Sequence, residues 1–560
     1  MKTHQRSSLL FLPLIAGLCA CGGGSSSASS GDSSTGTGGS DGGAGGTAGA
    51  GGTGVAGGGG AGVGGAGGVG GSGGTAGAGG AGGAGGSGGT AGAGGAGGAG
   101  GAAGGGGMGG AGGSGNGAPL IRPRDPVVLT GAKLPSLVGL GPTEIVGFQF
   151  KNKAWKQIPV QVDERALLDI VTPYGPLAAG AGYPPSPSNP KVLFYCDPTT
   201  HTGADPAAAF DNDDELVFMA KDAADAADGS LPPDVVSGSG VRVMVTDPLV
   251  GAAFVYLFKK AGAQDPGAGT SYVTYTSNVA GTAGFPANGS GTNAESTTIA
   301  TVSYSWHFSS EWVSDELKLL SGSGVDILDR YKNFFADGNC IRHEDAFSAG
   351  ENAYVTVRSG PVRAIRSYMG AVSGPLTQRT HIFYESRQDL WTDLRVHNIA
   401  SIYDAFDYNS AASGMTYRNN MNAGGVTIDG AQDVVAKGEL LWEQVSGAQG
   451  TVSILHRRVT DLTANDAAFT SYYDDSSAKP ASKCTGDGQA WGTSGVGVLF
   501  ANGSVCTDPM GNGCAGSVWL RNLQSQRAVY VDAPNGAPSV AVDYNTMLDN
   551  PLMTTVDAYP

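Results

Sequence analysis

The chain lacks several features that mark common classes of protein. Its 560 residues carry 32 basic against 48 acidic side chains, a net charge of -16, and an acidic protein repels the phosphate backbone of nucleic acids. After the first twenty residues no apolar run approaches the ~18 residues that span a bilayer. Beyond residue 118 there is no GxSxG elbow, P-loop, dinucleotide fingerprint or HExxH motif. We therefore expect no nucleic-acid partner and no membrane domain, and no familiar motif identifies the chemistry.

Residues 22–118 lack proline and aromatic residues, and their only charges are Asp32 and Asp41. They repeat units such as GGAGGAGGSGGTAGAGG and hold 54 of the 98 glycines. Such a segment cannot bury enough apolar area to offset its ordering entropy, and without proline or a strict triplet period it is not collagen. We predict a disordered tether with an end-to-end distance on the order of 50 to 60 Å. A glycine-rich adhesive repeat is the alternative.

The first 21 residues, MKTHQRSSLLFLPLIAGLCAC, combine a basic start with a short apolar region and small residues before a cysteine. This pattern predicts a secretory signal peptide. The run LCAC resembles the lipobox of bacterial lipoproteins, which implies that Cys21 is diacylated and becomes the new N-terminus. The glycine that follows implies transport to the outer membrane, with the lipid as the only membrane contact. Ordinary cleavage, giving a free secreted protein, is the alternative.

Five cysteines remain after the leader: Cys196, Cys340, Cys484, Cys506 and Cys514. Export places them in an oxidising compartment. The last three lie within 31 residues of a glycine- and aspartate-rich stretch, so we predict a disulfide between at least two of them. A zinc site is the alternative, although no CxxC motif or close histidine supports it.

Short β-rich runs dominate the chain after Pro119, whereas helical periodicity is scarce. Runs such as WKQIPVQVD, AAFVYLFKK and THIFYES are bounded by Gly, Pro, Asn and Asp. This pattern predicts an all-β protein of antiparallel sheets, a β-sandwich or supersandwich. Only KDAADAAD and NDAAFTSYYDD resemble helices. We place an N-terminal β domain at residues 119–275 and a supersandwich domain at residues 276–560, separated by a glycine-rich segment.

The run THIFYESRQDLWTDLRVHNI predicts a hairpin with its turn near Arg387. The hairpin pairs His381 with Asp393 and Arg379 with Arg395, and alternation gathers polar and aromatic side chains on one face: Arg379, His381, Phe383, Trp391, Asp393, Arg395 and His397. The neighbouring run RSGPVRAIRSYMG adds Arg358, Arg363 and Arg366. Because guanidinium groups bind carboxylates, this face is a candidate ligand-binding surface. In the alternative interpretation, Asp393 pairs with the arginines on a solvated face and the histidines are structural.

The runs SGPVRAIR, TQRTHIFYES and LWTDLRVHNI resemble strands of the galactose-mutarotase-like supersandwich domains, a class that includes many polysaccharide lyases. IPVQVDE and FDNDDELVFMAKD are similar to runs in secreted bacterial proteins thought to carry such sandwiches. The resemblance covers about two thirds of the body. It rests on strand patterns, so no catalytic residue is transferred from the family by an unambiguous motif.

We expect a surface lipoprotein that binds, and in one hypothesis cleaves, an acidic polysaccharide. In β-elimination Arg379 and Arg395 would neutralise a uronate carboxylate, and His381 or His397 would act as base. Tyr417 would protonate the leaving oxygen, while Trp391 would stack on a sugar and Arg363 would add a binding contact. The alternatives are a noncatalytic carbohydrate-binding or adhesion module and a structural envelope protein, the latter favoured if the arginine face is buried against another sheet.

An acidic run offers oxygen ligands for a metal ion. Asp211, Asp213 and Glu215 lie within DNDDE, and hard cations such as Ca2+ bind carboxylate oxygens. The run lacks the full EF-hand pattern, so a solvated loop is the alternative. Calcium is the one cofactor that the sequence suggests, and the expected function does not require any.

Overall fold

The computed structural model describes residues 122–178, 183–278, 295–335, 343–346, 352–371, 376–478, 486–501, 505–511 and 522–560, together with residues 120, 374, 514, 518 and 519. The predicted signal peptide, the lipidation site at Cys21 and the predicted tether lie outside the described residues, as do Cys340 and Cys484.

The described residues form 29 strands, which in chain order are β1 Pro126–Thr130, β2 Ile145–Lys151, β3 Ala154–Ile158, β4 Gln161–Asp163, β5 Arg165–Asp169, β6 Lys191–Tyr195, β7 Glu215–Met219, β8 Gly240–Asp247, β9 Gly251–Lys259, β10 Thr274–Thr276, β11 Thr297–Ala300, β12 Tyr304–Phe308, β13 Ser314–Leu319, β14 Leu328–Phe335, β15 Ala353–Ser359, β16 Ala364–Met369, β17 Gln378–Phe383, β18 Arg387–Asp393, β19 Ser401–Tyr408, β20 Thr416–Asn419, β21 Asn422–Thr427, β22 Trp442–Gly447, β23 Gly450–Thr460, β24 Ala467–Asp474, β25 Thr493–Phe500, β26 Val505–Cys506, β27 Val518–Trp519, β28 Leu523–Asp532 and β29 Met553–Tyr559. One α-helix, α1, spans Pro538–Asp549. Short 3-10 turns are Gly131–Lys133, Pro142–Glu144, Thr172–Leu177, Ala220–Asp222, Glu344–Ala346 and Ser410–Ala412.

Nearly all of these strands pair antiparallel. The nine-stranded sheet has the order β15-β16-β17-β18-β28-β23-β22-β20-β21, and two four-stranded sheets have the orders β10-β11-β12-β13 and β14-β19-β25-β24. A five-stranded sheet, β29-β8-β9-β2-β3, a three-stranded sheet, β1-β7-β4, and the pair β5-β6 complete the antiparallel set, while β26 and β27 pair in parallel. The predicted all-β antiparallel fold class is confirmed.

The largest buried cluster lies on one face of the nine-stranded sheet, which we call the inner face. Phe383 and Val529 from that sheet share the cluster with Trp306 of β12 and with Tyr331 and Phe406 of the β14 sheet. Two sheets facing each other across interdigitated side chains form a sandwich. The opposite, outer face packs against β7 in a second cluster.

The C-terminal strand of the chain joins the five-stranded sheet, whose other strands come from residues 145–259. Strand β29 pairs with β8 along its full length, from Met553↔Thr246 to Tyr559↔Gly240. The domain boundary predicted near residue 275 stays a prediction.

Both predicted helices are wrong. In KDAADAAD only a 3-10 turn forms, because Ala224 and Asp225 bridge to Phe254 and Phe150 of the five-stranded sheet. In NDAAFTSYYDD the chain forms β24, which pairs with β25 over its whole length, and its aromatic and β-branched residues suit a strand. The helix α1, which the sequence did not indicate, begins at a proline, a favourable first helical residue.

Among the described residues, no helix combines the length and the apolar character needed to cross a membrane.

Candidate functional site

The hairpin that carries the predicted site has a different register from the one expected. The turn closes between Tyr384 and Arg387, whose backbone N–H and C=O lie 2.8 Å apart. Strand β18 therefore starts three residues earlier, and Arg379 pairs with Thr392 and His381 with Leu390. The predicted pairs of His381 with Asp393 and Arg379 with Arg395 are wrong.

This shift divides the predicted face into two. An odd change of register moves the side chains of one strand to the opposite face relative to its partner. Arg379 and His381 point to the inner face, while Trp391 and Asp393 lie on the outer face. Arg395 and His397 follow the end of β18 and are not part of a strand. The common cleft expected from alternation does not form.

Arg379 is fully buried and neutralised on the inner face. Its guanidinium lies 2.9 Å from Asp404 Oδ2, which also accepts from Arg527 at 2.7 Å. Burial would raise the pKa of Asp404, but the two guanidinium groups hold it below its usual value. The Arg379 guanidinium also donates to Asn333 Oδ1 at 2.7 Å. This charge is satisfied by the protein itself.

His381 is also fully buried, and both ring nitrogens are engaged. Nε2 lies 2.8 Å from the Tyr368 hydroxyl, and Nδ1 lies 2.7 Å from the Gln388 amide. Burial, together with Arg379 and Arg366, lowers the pKa of the imidazole well below its usual value. The ring is therefore neutral at pH 7 and enclosed among protein groups.

Two more predicted residues are sealed elsewhere in the molecule. Arg363 donates to Asp163 at 2.8 Å and to Glu215 at 2.6 Å, so it ties the nine-stranded sheet to the three-stranded sheet. Tyr417 is fully buried in β20, and burial raises its pKa far above the usual value. Its ring stacks on Tyr473 with centroids 4.5 Å apart.

The remaining predicted residues are half-buried. Arg395 donates to the Leu376 carbonyl at 3.1 Å, and His397 Nδ1 lies 3.1 Å from the carbonyl of its chain neighbour. Trp391 packs at the edge of the outer-face cluster. The structure leaves this group, unlike Arg379 and His381, partly accessible to solvent. The roles predicted for all seven residues stay predictions.

A disulfide holds the chain beside Arg395 and His397. Cys506 and Cys514 are joined, with Cα atoms 5.6 Å apart, which confirms the predicted local bond. The loop that they close bonds to the chain after β18, because Thr507 N–H donates to the Val396 carbonyl at 2.9 Å. Among the described cysteines, Cys196 is free and buried.

The acidic run forms a turn. Asp214 accepts from the backbone N–H of Asp211, and Asp211 accepts from that of Asp213. Glu215 points away, toward Arg165 and Arg363. Among the residues that the structure describes, no three His, Cys, Asp or Glu side chains are grouped to hold a metal ion. A calcium requirement stays a prediction.

An open groove lies along the edge strand β24, where the segment 432–437 runs beside it. Its volume is about 420 Å³, within the usual range for ligand sites. Tyrosine rings, carboxylates, an amide and an amine line it: Gln432, Asp433, Val434, Val435, Ala436, Lys437, Ser471, Tyr472, Tyr473 and Asp474. We call this feature the β24 groove.

Two polar atoms in the β24 groove have no hydrogen-bond partner among the described residues, Tyr473 Oη and Asp433 Oδ2. A polar atom hidden from bulk water without a partner carries a desolvation cost that a ligand hydroxyl can relieve. Burial raises the pKa of Tyr473 far above its usual value, and Asp475 and Asp433 add to that rise. Burial and Asp429 also raise the pKa of Asp433. The groove therefore offers a neutral hydroxyl beside acidic groups.

An aromatic strip continues from the groove across the outer surface of the β14 sheet. Phe334 and Tyr403 stack with centroids 4.9 Å apart, and Tyr472 packs edge-on against both at 5.5 and 5.7 Å. Gly497 makes this packing possible, because a Cβ there would lie 2.6 Å from the Tyr403 ring. We call these three rings the aromatic strip.

Sequence reasoning missed the β24 groove because it assigned SYYDD to a helix. Read as a strand, adjacent tyrosines point to opposite sides, so Tyr472 joins the aromatic strip while Tyr473 stacks on Tyr417. The alternation GVGV in β25 was the available signal, since it supplies small residues on one face.

No protein-family model matches the chain, and no curated protein matches it in sequence. An alpha-mannosidase from Enterococcus faecalis V583 overlaps 80% of this chain at 8% identity and a TM-score of 0.34, and a glycosyl hydrolase family 38 protein from Enterococcus faecalis overlaps 78% at 8% identity and 0.33. The chain spans only 45% and 46% of those two proteins. A third solved structure, HI1317, overlaps 46% of this chain over its own full length, at 7% identity and a TM-score of 0.24. Overlap this loose assigns no chemistry to any residue.

Proposed function

We propose that this chain is a lipid-anchored surface protein that binds a neutral polysaccharide in the β24 groove without cleaving its glycosidic bonds. The observation that carries the proposal is the pair of unpartnered polar atoms, Tyr473 Oη and Asp433 Oδ2, in an open groove beside aromatic rings. A sugar presents hydroxyl groups to such atoms and an apolar ring face to a tyrosine.

The charge of the groove favours a neutral sugar over a uronate. Two carboxylates, Asp433 and Asp474, line the groove, and burial together with Asp429 raises the pKa of Asp433. Among the residues that the structure describes, Lys437 is the one cation that lines the groove. The arginines expected to neutralise a uronate carboxylate, Arg379 and Arg395, already contact the protein carboxylates Asp404 and Asp393.

The same placement argues against β-elimination at the predicted residues. A general base must come within hydrogen-bond reach of the proton that it removes. The ring nitrogens of His381 face Tyr368 and Gln388, and Tyr417 is fully buried. Arg395 and His397 are partly accessible, but protein carboxylates already lie near both: Asp393 is 3.5 Å from Arg395, and the buried Asp508 interacts electrostatically with His397.

Export and anchoring complete the proposal. The LCAC run predicts acylation at Cys21, and the glycine-rich segment that follows would hold the body away from the membrane. Replacement of Cys21 by Ser should abolish labelling with a fatty-acid analogue and release the protein from membranes. Unchanged membrane association would contradict the lipid anchor but would not bear on ligand binding in the β24 groove.

The binding proposal is tested by affinity gel electrophoresis of the purified protein in gels containing a glucan, a mannan, a xylan, polygalacturonate or alginate. We expect retardation in at least one neutral polysaccharide, lost in Tyr472→Ala and Asp433→Asn. Leu167→Ala, an exposed residue on the β5-β6 hairpin, is the matched control and should migrate like the parent. Ultraviolet absorbance of unsaturated product with either polyuronate, or retardation by polyuronates alone, would overturn the proposal.

A further inference from the structure

Three side chains from neighbouring strands contact each other in series on the exposed face of the β10-β11-β12-β13 sheet. Ser296 Oγ lies 3.1 Å from His307 Nε2, and His307 Nδ1 lies 2.6 Å from Asp315 Oδ1. Ser296 directly precedes β11, His307 lies in β12 and Asp315 in β13. A serine, a histidine and an aspartate in this order of contacts have the geometry of a nucleophile, a base and the group that orients the base.

A β-bulge brings Asp315 into the series. The register between β12 and β13 shifts at His307, which pairs with Glu316, while the next residue, Phe308, pairs with Ser314. Asp315 is the extra residue, and bulges of this kind redirect a side chain and are common beside active sites. The carboxylate therefore reaches the imidazole although it is not its register partner.

Buried neighbours fix the positions of the serine and the histidine. Glu295, before the serine, is fully buried in its side chain and bonded by Arg366 at 3.1 Å. Thr297, after the serine, is fully buried and donates to Glu295 at 2.6 Å. Trp306 and Phe308 anchor His307 in the same way. A constellation placed on rigid elements keeps its geometry without rearrangement.

The series is open to solvent, in contrast to His381. The side chains of His307 and Asp315 are 24% and 29% exposed, and Ser296 is an exposed residue. A reacting group carried on a large molecule could therefore reach the serine hydroxyl on this flat face.

We propose that Ser296, His307 and Asp315 hydrolyse carboxylic esters displayed on a polymer. Ser296 Oγ bonds to the acyl carbon while its proton moves to His307 Nε2. That proton then passes to the leaving alkoxide as the ester C–O bond breaks. Water attacks the acyl-serine, gives one proton to Nε2, and the serine oxygen recovers that proton as the carboxylic acid departs. Asp315 accepts from Nδ1–H and stabilises the imidazolium.

Thr298 supplies a further element of this site. It is the register partner of His307, so the two side chains lie on the same face. We assign its hydroxyl to the developing oxyanion, where a positioned donor stabilises the transition state. The esterase proposal does not depend on the β24 groove, and neither result decides the other.

The test is covalent labelling of the full mature protein with a fluorophosphonate, with the site mapped by mass spectrometry, alongside hydrolysis of p-nitrophenyl acetate. We expect the label on Ser296, and a loss of turnover of roughly 100-fold or more in Ser296→Ala and His307→Ala. Asp315→Asn should lower turnover with little change in KM, and Thr298→Val should lower kcat more than it changes KM.

Ser305→Ala is the matched control, because this serine lies two residues from His307 on the same strand face. It should label and turn over like the parent. Labelling of the unaltered protein needs no variant to fold, so absence of label at Ser296 would overturn the proposal. Hydrolysis by Ser296→Ala at the parental rate would also overturn the proposal, because the activity would then come from an exposed imidazole and not from the serine.

Discussion

The inner face of the nine-stranded sheet and the β24 groove contrast in how their charged groups are paired. On the inner face, Arg379 and Arg527 both donate to Asp404 with almost no exposure, although one nitrogen of each arginine and Asp404 Oδ1 have no further hydrogen-bond partner among the described residues. In the groove, Tyr473 Oη and Asp433 Oδ2 have no partner among the described residues. The regions meet where Tyr417 stacks on Tyr473. Charged residues in a sequence therefore indicate polar chemistry, but only their partners show whether it is directed at the fold or at a ligand.

The largest expected effect comes from breaking the sealed network. Asp404→Ala leaves Arg379 and Arg527 buried without their shared carboxylate, and such a loss costs about 3–5 kcal/mol. Urea unfolding of the parent and the variant measures it. Asp393→Ala is the control, because Asp393 pairs with Arg395 at 3.5 Å in a partly exposed position and should cost no more than ~1 kcal/mol. Equal small losses would remove the distinction between the two kinds of pair.

The Cys506–Cys514 disulfide should stabilise the accessible part of the predicted site but not the sealed part. Replacing both cysteines by alanine should cost about 2–3 kcal/mol, since the closed loop is short. Hydrogen exchange should accelerate across residues 394–397, where the backbone N–H and C=O of Val396 bond to Thr507, and stay slow in β17. Unchanged exchange at residues 394–397 would contradict the assigned role of the loop.

Single hydroxyl groups distinguish the open region from the sealed one more finely. Tyr473→Phe keeps the ring stacked on Tyr417 but removes the unpartnered hydroxyl, and should weaken polysaccharide binding about tenfold, or ~1.4 kcal/mol. Tyr417→Phe removes a buried hydroxyl that accepts from Asn419 at 3.0 Å, so it should lower stability and leave affinity unchanged. Calorimetric titration with the polysaccharide selected in the gel assay compares them. A loss of affinity in Tyr417→Phe, with none in Tyr473→Phe, would contradict the assignment of Tyr473 to the ligand and of Tyr417 to the fold.

The smallest expected effect is an absence of titration. Burial and the nearby arginines lower the pKa of His381, so its ring should stay neutral from pH 8 to pH 5 in an NMR titration. The unfolded chain takes up a proton there near pH 6.5, so the unfolded state binds more protons and stability falls as pH drops below that value. His381→Gln should lower the slope of unfolding free energy against pH by an amount corresponding to at most one bound proton. A midpoint for His381 near 6.5 would show that solvent reaches the inner face.

Strand content was predictable from sequence, because short runs rich in β-branched and aromatic residues, such as AAFVYLFKK, favour strands. The segment forms β9, and THIFYES forms most of β17. The short spacing of Cys506 and Cys514 similarly indicated their bond. These features depend on residues close together in the chain.

The site was not predictable, because its geometry depends on register and on distant partners. The turn between Tyr384 and Arg387 has no Asn-Gly or Asp-Gly signal, so its centre was placed at Arg387 and the register of the two strands was wrong by three residues. Arg363 and Glu215, which neutralise each other, lie 148 residues apart. A local pattern of arginines cannot reveal a carboxylate supplied from so far along the chain.

Hydrogen–deuterium exchange with and without the polysaccharide selected in the gel assay tests the proposed site most directly. Ligand in the β24 groove should protect residues 432–437 and 471–474 and leave β17 and β18 unchanged, because the inner face is already sealed by its own ion pairs. Protection confined to β17, β18 and residues 394–397, with none along β24, would contradict the proposal and return the binding site to the arginine hairpin.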